Sequence, residues 1–492
     1  MNNRYAVVAF MGIVFLAVGG PAQASAPDLD WQVEYGNGRA DIGYSIIKHS
    51  TGGYAVCGYE DFDESGDSDA FLMRLDDNGD TLWVRSYGDS LVQLAQCVRE
   101  THDRGYILAG YTERIPNRDA LFIRTDEAGD TLWTCNVDLG GDDYITCVLE
   151  TSDMGFIGAG YTNSFSNPGD VQILAVKVDR YGSVEWRESY GGATQNRAHD
   201  ICSTRDDNCA ITGFTDTATG QRDVLIMKID AGSGDSLWAA GYGYETTEVG
   251  HCIRETAQGH LVVCGSRADV PQGWSDGYVL EVDADGDSLN SLSYGTVEDR
   301  IIFYSMAITG DQGFIFAGQI DTSSVYNNDV YFVKTDPGGD VQWSKMVGDA
   351  NREYARCVAI SDDLGYVAAG YTEDAVTFNR DIYIVKLRSD DAGIEPSRER
   401  GAAALLEADG PSPSRGPVTL RYQIPAADQV RLAVYDVKGR LLETLVDTRL
   451  AAGEYRSSWS CTGRAGPAAP GVYFFRLQAG RADITRKAVI LR

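Results

Sequence analysis

A motif of about 50 residues recurs from Trp31 to Leu387, and nothing else in the chain restricts the fold as tightly. One copy runs from Trp83 to Trp133: WVRSYGD, a variable piece, CVRETHDRGYILAGYT, a second variable piece, then DALFIRTDEAGDTLW. Each copy reads as four short strands and three turns, with the Trp-bearing strand lettered d and the strands after it a, b and c. Trp31, Trp83, Trp133, Trp186, Trp238, Leu289 and Trp343 form one column, at steps of 50 to 54 residues.

Other columns hold the same register. Strand b carries Gly58, Gly110, Gly160, Gly213, Gly265, Gly318 and Gly370, and a glycine repeated inside a strand marks a close approach of backbone. The residue before each is small: Cys57, Ala109, Ala159, Thr212, Cys264, Ala317, Ala369. Gly53, Gly105, Gly155, Asn208, His260, Gly313 and Gly365 share one a–b turn position, where positive φ is expected. The b–c connections end in Asp69, Asp119, Asp170, Asp223, Asp276, Asp329 and Asp381, whose carboxylates can bond backbone two residues on and fix the start of strand c. Gly79, Gly129, Gly182 and Gly286 suit a bulged c–d hairpin turn.

Units of this size with four strands each predict an all-β, seven-bladed β-propeller over residues 25–388. After Leu387 the seventh unit lacks a d strand, while Trp31–Tyr35 is a d strand with no unit before it. The N-terminal strand is therefore expected to complete the last unit and leave no open edge. The strand order resembles the WD40 layout, without its WD and GH signatures.

The 492 residues can bury a large core, and 55 Gly, 27 Tyr and 8 Trp suit many strands joined by tight turns. A formal charge of −30 argues against nucleic acid and anionic membrane surfaces as partners, since both would be repelled. Arg4, the apolar run Ala6 to Val18 and the small-x-small site Ala22-Gln23-Ala24 read as a signal peptide over 1–24. That run is too short to span a bilayer, and no later stretch is apolar enough, so the mature protein is expected to be exported without a transmembrane segment. Cys97, Cys147, Cys252 and Cys357 share a column with Ser45, Asp200 and Ser305, which reads as buried small side chains. Cys252 with Cys264, or Cys202 with Cys209, could bridge within a hairpin. No Cys/His spacing suggests zinc.

Residues 389–410 break the periodicity and read as a linker, with a helical turn or two over Ser397–Ala408. Beyond them the charge changes sign: residues 411–492 carry +7 and the remainder −37, the mark of a separate module. Alternation over Thr419–Ile424, Val430–Tyr435, Leu441–Val446, Tyr455–Trp459, Val472–Leu477 and Thr485–Leu491 predicts a small β-sandwich. The words VRLAVYDVKGRLLETLV, AAGEY, GVYFFRLQAG and KAVILR make residues 411–492 similar to the immunoglobulin-like domain of the flagellar hook-capping protein and to C-terminal sorting domains of type IX secretion cargo. That resemblance implies passage across an outer membrane, through the export machinery, to release or attachment at the cell surface. In place of the usual Asn-Pro opening stands Gly410-Pro411-Ser412-Pro413.

Candidate chemistry is sparse. The turns Asp76-Asp77-Asn78-Gly79-Asp80 and Asp283-Ala284-Asp285-Gly286-Asp287 resemble the first half of an EF-hand loop but lack its Glu, which leaves at most a weak, stabilising calcium and no cofactor. TDEAGDTLW resembles the Asp-box of sialidase-type propellers, and IDAGSGDSLW resembles quinoprotein repeats; both lie in turns that hold blades together. The adjacent cysteines of quinoprotein dehydrogenases are missing, and the one G-x-S-x-G string, Gly273-Trp274-Ser275-Asp276-Gly277, falls at the start of a c strand and not on the strand-to-helix turn such a nucleophile needs. The d–a and b–c connections vary from copy to copy, and in a WD40-like layout both lie on one face, where recognition tends to sit. The b–c loops offer Phe62, Phe165, Trp274, Tyr326 and Phe378. Just before the small column of strand a stand Tyr44, Gln96, Thr146, His199, His251, Tyr304 and Arg356, expected near the mouth of a central channel, where they suit a sugar or peptide. His199 and His251 could also share a metal. The reading is a non-enzymatic binding module whose candidate residues are Tyr44, His199, His251, Trp274, Tyr304 and Arg356; the alternatives are a secreted glycan hydrolase and a purely structural envelope component.

Overall fold

The computed structural model describes residues 25–390 except 37–38, 62–67, 89–90, 166–169, 193, 245, 270–273, 296–298 and 323–327. Toward the C-terminus it describes 405–409, 418–424, 428–436, 440–451, 453–460, 462–463, 466–467, 471–479 and 482–490. The signal-peptide reading and the loop residues Phe62 and Tyr326 lie outside these. The chain forms two compact units, Met1–Ala392 and Gly393–Arg492.

The first unit is built of four-stranded antiparallel sheets, the architecture of a β-propeller. Six of the sheets take their strands consecutively, as in Ile42–Lys48, Tyr54–Asp61, Ser68–Leu75 and Thr81–Tyr87. The sheet of Arg352–Ile360, Tyr366–Glu373 and Arg380–Leu387 takes its fourth strand from the N-terminus, Leu29–Tyr35, with Trp31 opposite Lys386 and Glu34 opposite Tyr383. Beside that strand, the amide of Arg388 donates to the Asp28 carbonyl at 3.0 Å.

Neighbouring sheets are stitched by repeated contacts. Trp31, Trp83, Trp133, Trp186 and Trp238 each lie on the c–d turn of the next sheet: Trp31 Nε1 donates to the Asp77 carbonyl at 3.2 Å and Trp133 Nε1 to that of Arg180 at 2.9 Å, while Trp343, whose next sheet has no c–d hairpin, donates to the Asp390 carboxylate at 3.0 Å. The turn glycine must be Gly, since it takes φ of +84° at Gly79 with the Trp31 ring directly over it. Tyr87 donates to the Gly129 carbonyl at 2.7 Å, and Tyr35 makes the same bond to Gly79, so the N-terminal strand grips the first sheet as the d strands ending in Tyr87, Tyr190, Tyr242 and Tyr294 grip their neighbours. On the inner strands Cys252 Sγ donates to the Met306 carbonyl at 3.8 Å, and Cys357 Sγ to that of Ile46 at 3.4 Å.

Several sequence expectations shift in register. In the fifth sheet the residue at the Trp position is Asn290, paired with Glu281, and not Leu289; elsewhere the partner of Trp is Lys or Arg. The charge is reversed there: Glu281 accepts from His260 at 2.7 Å, where Lys334 donates to Asp311 at 2.8 Å and Lys386 to Asp363 at 2.8 Å. In the a–b turns, positive φ falls one residue before the expected column in most copies, at Arg104, Met154, Asp207, Gly259, Gln312 and Leu364. The column glycines answer a different need: a Cβ on Gly105 would sit 2.2 Å from the Thr125 carbonyl oxygen. The c–d turn aspartates bind their own turn, Asp76 accepting from Asn78 and Asp80 amides at 2.8 and 2.9 Å.

The described cysteines are free. Cys252 and Cys264 face each other in register without a bond, and Cys202 lies opposite Ala210 rather than Cys209.

The second unit has one sheet of Leu405–Asp409, Val418–Ile424 and Gly453–Trp459 and another of Leu441–Leu450, Asp428–Asp436, Gly471–Ala479 and Ala482–Ile490. Alternate residues from both, including Leu420, Tyr422, Leu432, Val434, Trp459 and Phe475, fill one core. Leu405–Asp409 is a strand, not part of a linker or helix: it pairs from Leu405 opposite Gln423 to Asp409 opposite Thr419, covering an edge that would otherwise present unpaired backbone groups.

Candidate functional site

In every a–b pair of the first unit the register slips by one residue, between Gly43 and Ser45, Ala95 and Cys97, Ile145 and Cys147, Ala198 and Asp200, Gly250 and Cys252, Phe303 and Ser305, and Ala355 and Cys357. The residues skipped are Tyr44, Gln96, Thr146, His199, His251, Tyr304 and Arg356. A bulge frees its extra residue from the ladder and re-aims its side chain. The strand-b glycine makes room for it: a Cβ on Gly110 would sit 1.7 Å from the Leu94 carbonyl oxygen, and one on Gly370 1.7 Å from that of Tyr354. The two columns are one device.

The bulged side chains form a row. The His199 and His251 rings stack at 5.0 Å with planes 11° apart, and His251 meets Tyr304 at 5.1 Å. The Arg356 guanidinium lies 4.3 Å from the centre of the Tyr304 ring and donates to the Tyr371 hydroxyl at 3.3 Å. His199, His251, Tyr304 and Arg356 remain partly open to solvent, and Tyr371 is buried. Thr146 serves structure instead, donating to the carbonyls of Ala159 at 2.9 Å and Ala198 at 3.1 Å.

Electrostatics keep the row uncharged except at Arg356. Burial holds the His199 imidazole down at about 4, and the His251 imidazole well below its ordinary value with His199 and Arg356 adding to the effect. Burial raises the phenols of Tyr44 and Tyr304. His199 Nδ1 shares its hydrogen bond with the Gly250 carbonyl at 2.8 Å, and since a carbonyl only accepts, this nitrogen carries the proton. With their faces stacked and one nitrogen committed, the histidines are not set as metal co-ligands. Among the described residues no cluster of three or more His, Cys, Asp or Glu could hold a metal ion.

A second ring escaped the sequence reading. The residue after each strand-b glycine is Tyr59, Tyr111, Tyr161, Phe214, Ser266, Gln319 or Tyr371, aromatic in five of seven, which was the available signal. Tyr144 bridges Tyr111 at 5.0 Å and Tyr161 at 4.4 Å, His199 meets Phe214 at 5.7 Å, and Tyr304 donates to Gln319 at 3.2 Å. Arginines cover this ring, Arg197 on Tyr161 at 4.6 Å and Arg222 on Phe214 at 4.2 Å. Both rings lie toward the b–c loops, because the start of strand a pairs with the end of strand b, as Ile42 does with Tyr59. Of the loop aromatics, Phe165 and Phe378 are exposed. Trp274 begins Trp274–Val282, and its side chain lies outside the described residues.

One residue further along strand a, Asp200 accepts from Arg254 at 2.6 Å and from the Ile253 amide at 3.0 Å. Cys97 and Cys147 bring their sulfurs to 3.1 Å, with Arg99 donating to Cys147 at 3.2 Å. Burial works against a Cys97 thiolate, yet the Cys147 hydrogen bond and the Arg99 charge bring it down to about 7.

No family model and no curated protein matches this chain. Among solved structures it is similar to a fungal alcohol oxidase with copper, at 11% identity and a TM-score of 0.49, over 95% of this chain and all of that one. It is also similar to the periplasmic gluconolactonase of Pseudomonas aeruginosa (12% identity, TM-score 0.40, 62% of this chain and 84% of that one). An α-L-arabinanase of Penicillium chrysogenum aligns at 8% identity and a TM-score of 0.42, over 75% of this chain and 99% of that one.

Proposed function

We propose that this is an exported binding protein without catalytic activity, and that its ligand is held at the b–c end of a closed seven-bladed propeller. Residues 25–388 make the ring, the N-terminal strand completes its last blade, and residues 1–24 direct export. Residues 411–492, an immunoglobulin-like sandwich of the sorting type, carry the protein to the cell surface or the medium. One observation supports the binding reading above the rest: a bulge recurs in each a–b pair beside an unvarying strand-b glycine, and the residues it delivers differ from copy to copy. A scaffold needs only that such positions be filled. Here they hold a succession of His, Tyr and Arg left partly open to solvent, a set of ring edges and oriented polar groups that suits saccharides and peptides.

The experiment is glycan and peptide array binding by the full mature chain beside Trp274→Ala and Tyr304→Ala. Binding that falls in Tyr304→Ala supports the reading. Binding unchanged in both variants refutes this face as the site, and hydrolysis of any bound glycan refutes the non-enzymatic reading. For the tail, deletion of residues 411–492 is expected to strand the protein in the periplasm, and normal release of that truncation would contradict sorting.

A further inference from the structure

We infer that the ligand at this end is an acidic saccharide, with Arg356 and Arg197 each holding a carboxylate or sulfate group of it; this rests on the binding reading above.

The arginines of this region divide into two groups. Most are neutralised by an acid, as Arg222 is by Asp216 at 3.4 Å, Arg267 by Glu248 at 3.4 Å and Arg380 by Glu373 at 2.8 Å. Arg356 and Arg197 are not: among the described residues no carboxylate lies within ion-pair distance of either. Each has its Nε buried without a hydrogen-bond partner. Withdrawing a guanidinium from water without a counter-charge is costly, and aromatic faces repay only part of it. In a chain of net charge −30, acids were the commonest material with which to pair them. That two positive groups stay unpaired while their neighbours are neutralised leaves the compensating anion to come from outside. A guanidinium offers parallel N–H donors that match a carboxylate or a sulfate in two-point fashion.

The row itself argues for a saccharide as the carrier of that anion. His199, His251 and Tyr304 cover one another's faces and leave ring edges, with nitrogen and hydroxyl groups, to meet a ligand, and the imidazoles stay neutral, so they add no second charge for which an inorganic anion would compete. Sugar hydroxyls can exchange hydrogen bonds with those edges while an acid group of the same ligand reaches Arg356 beside Tyr304.

The test is binding of the full mature chain to immobilised oligosaccharides in matched pairs: uronic acid oligomers with their carboxyl-reduced forms, and sulfated oligomers with their desulfated forms. The expected result is roughly tenfold tighter binding of the acidic member in at least one pair type, and the pair type identifies the anion. Arg356→Gln and Arg197→Gln, in different sheets, are each expected to narrow that ratio to about twofold. Equal binding of both members by the parent protein overturns the inference and leaves the binding reading standing. A ratio unchanged in both variants, or tighter capture of acidic peptides than of any saccharide, also overturns it. No binding to any saccharide or peptide overturns both.

Discussion

His199 and His251 stack face to face, their ring centres 5.0 Å apart and their planes inclined by 11°. Burial keeps both imidazoles neutral, with folded values below the ordinary one near 6.5. The unfolded chain therefore takes up protons first as pH falls, so the stability these residues permit is present above about 6.5 and is lost toward pH 4. Calorimetric melting between pH 7 and 5 is expected to show a falling midpoint, and His199→Phe/His251→Phe is expected to flatten that fall. Equal slopes in parent and variant would contradict the assignment.

Glu353 is expected to act with the opposite sign. Buried, and near Asp349 and Asp329, its carboxyl is pushed up to about 7. The folded state then holds the proton longer than the unfolded one, so this group costs stability as pH rises from about 4.5 to 7. Glu353→Gln is expected to be more stable than the parent at pH 8, by roughly 1 to 3 kcal/mol, and close to it at pH 5. Chemical denaturation at the two pH values measures the difference. A variant less stable than the parent at pH 8 would show that the charged carboxylate is used.

The bulge and the strand-b glycine stand or fall together. Gly110→Ala would drive a Cβ into the Leu94 carbonyl and is expected to cost at least about 3 kcal/mol. Gly192→Ala, with nothing within 4 Å of the new Cβ, is expected to stay within about 0.5 kcal/mol of the parent. Comparable losses at both positions would refute a specific demand for glycine beside the bulge.

The N-terminal strand is expected to carry as much stability as an internal one. Trp31 packs on Gly79 as Trp83 does on Gly129, and both rings are half-buried. Trp31→Ala and Trp83→Ala are each expected to lower unfolding free energy by roughly 2 to 4 kcal/mol. A Trp31→Ala loss below about 0.5 kcal/mol would mean the last sheet does not depend on its fourth strand.

Much of this fold was legible because single residue types answer single geometric needs. Gly79, Gly129, Gly182 and Gly286 could be assigned positive φ from spacing alone, and all four have it. Pairing of the Trp31 strand beside Tyr383 followed from counting strands. What misled was one physical requirement hidden behind another. Gly105 and Gly365 looked like positive-φ residues, but they avoid a carbonyl while Arg104 and Leu364 take the left-handed conformation. Leu289 looked apolar enough for the Trp column, but Gly286 to Asn290 is the same four-residue step as Gly79 to Trp83, and the register sets Asn290 opposite Glu281, where His260 replaces the usual acid. Leu405–Asp409 could not be told from a helical turn, because its pairing with Val418–Ile424 is a tertiary event.

At the site, the positions were legible and their relations were not. The column of Tyr44, His251, Tyr304 and Arg356 stood out because it varied between fixed neighbours. That the same residues are bulged depends on backbone register, which the column of strand-b glycines encodes only indirectly. Tyr371 and Phe214 were passed over because aromatics inside strands ordinarily read as core.

The most direct test of the account is calorimetric titration of the tightest-binding array ligand into single alanine variants of bulge residues Tyr44, His251 and Tyr304, beside Phe165→Ala and Phe378→Ala in the exposed loops. The account predicts roughly tenfold or greater loss of affinity at two or more of the bulge positions, with melting temperatures near that of the parent. Parent-like affinity in all three bulge variants, with binding lost in a loop variant, would contradict it.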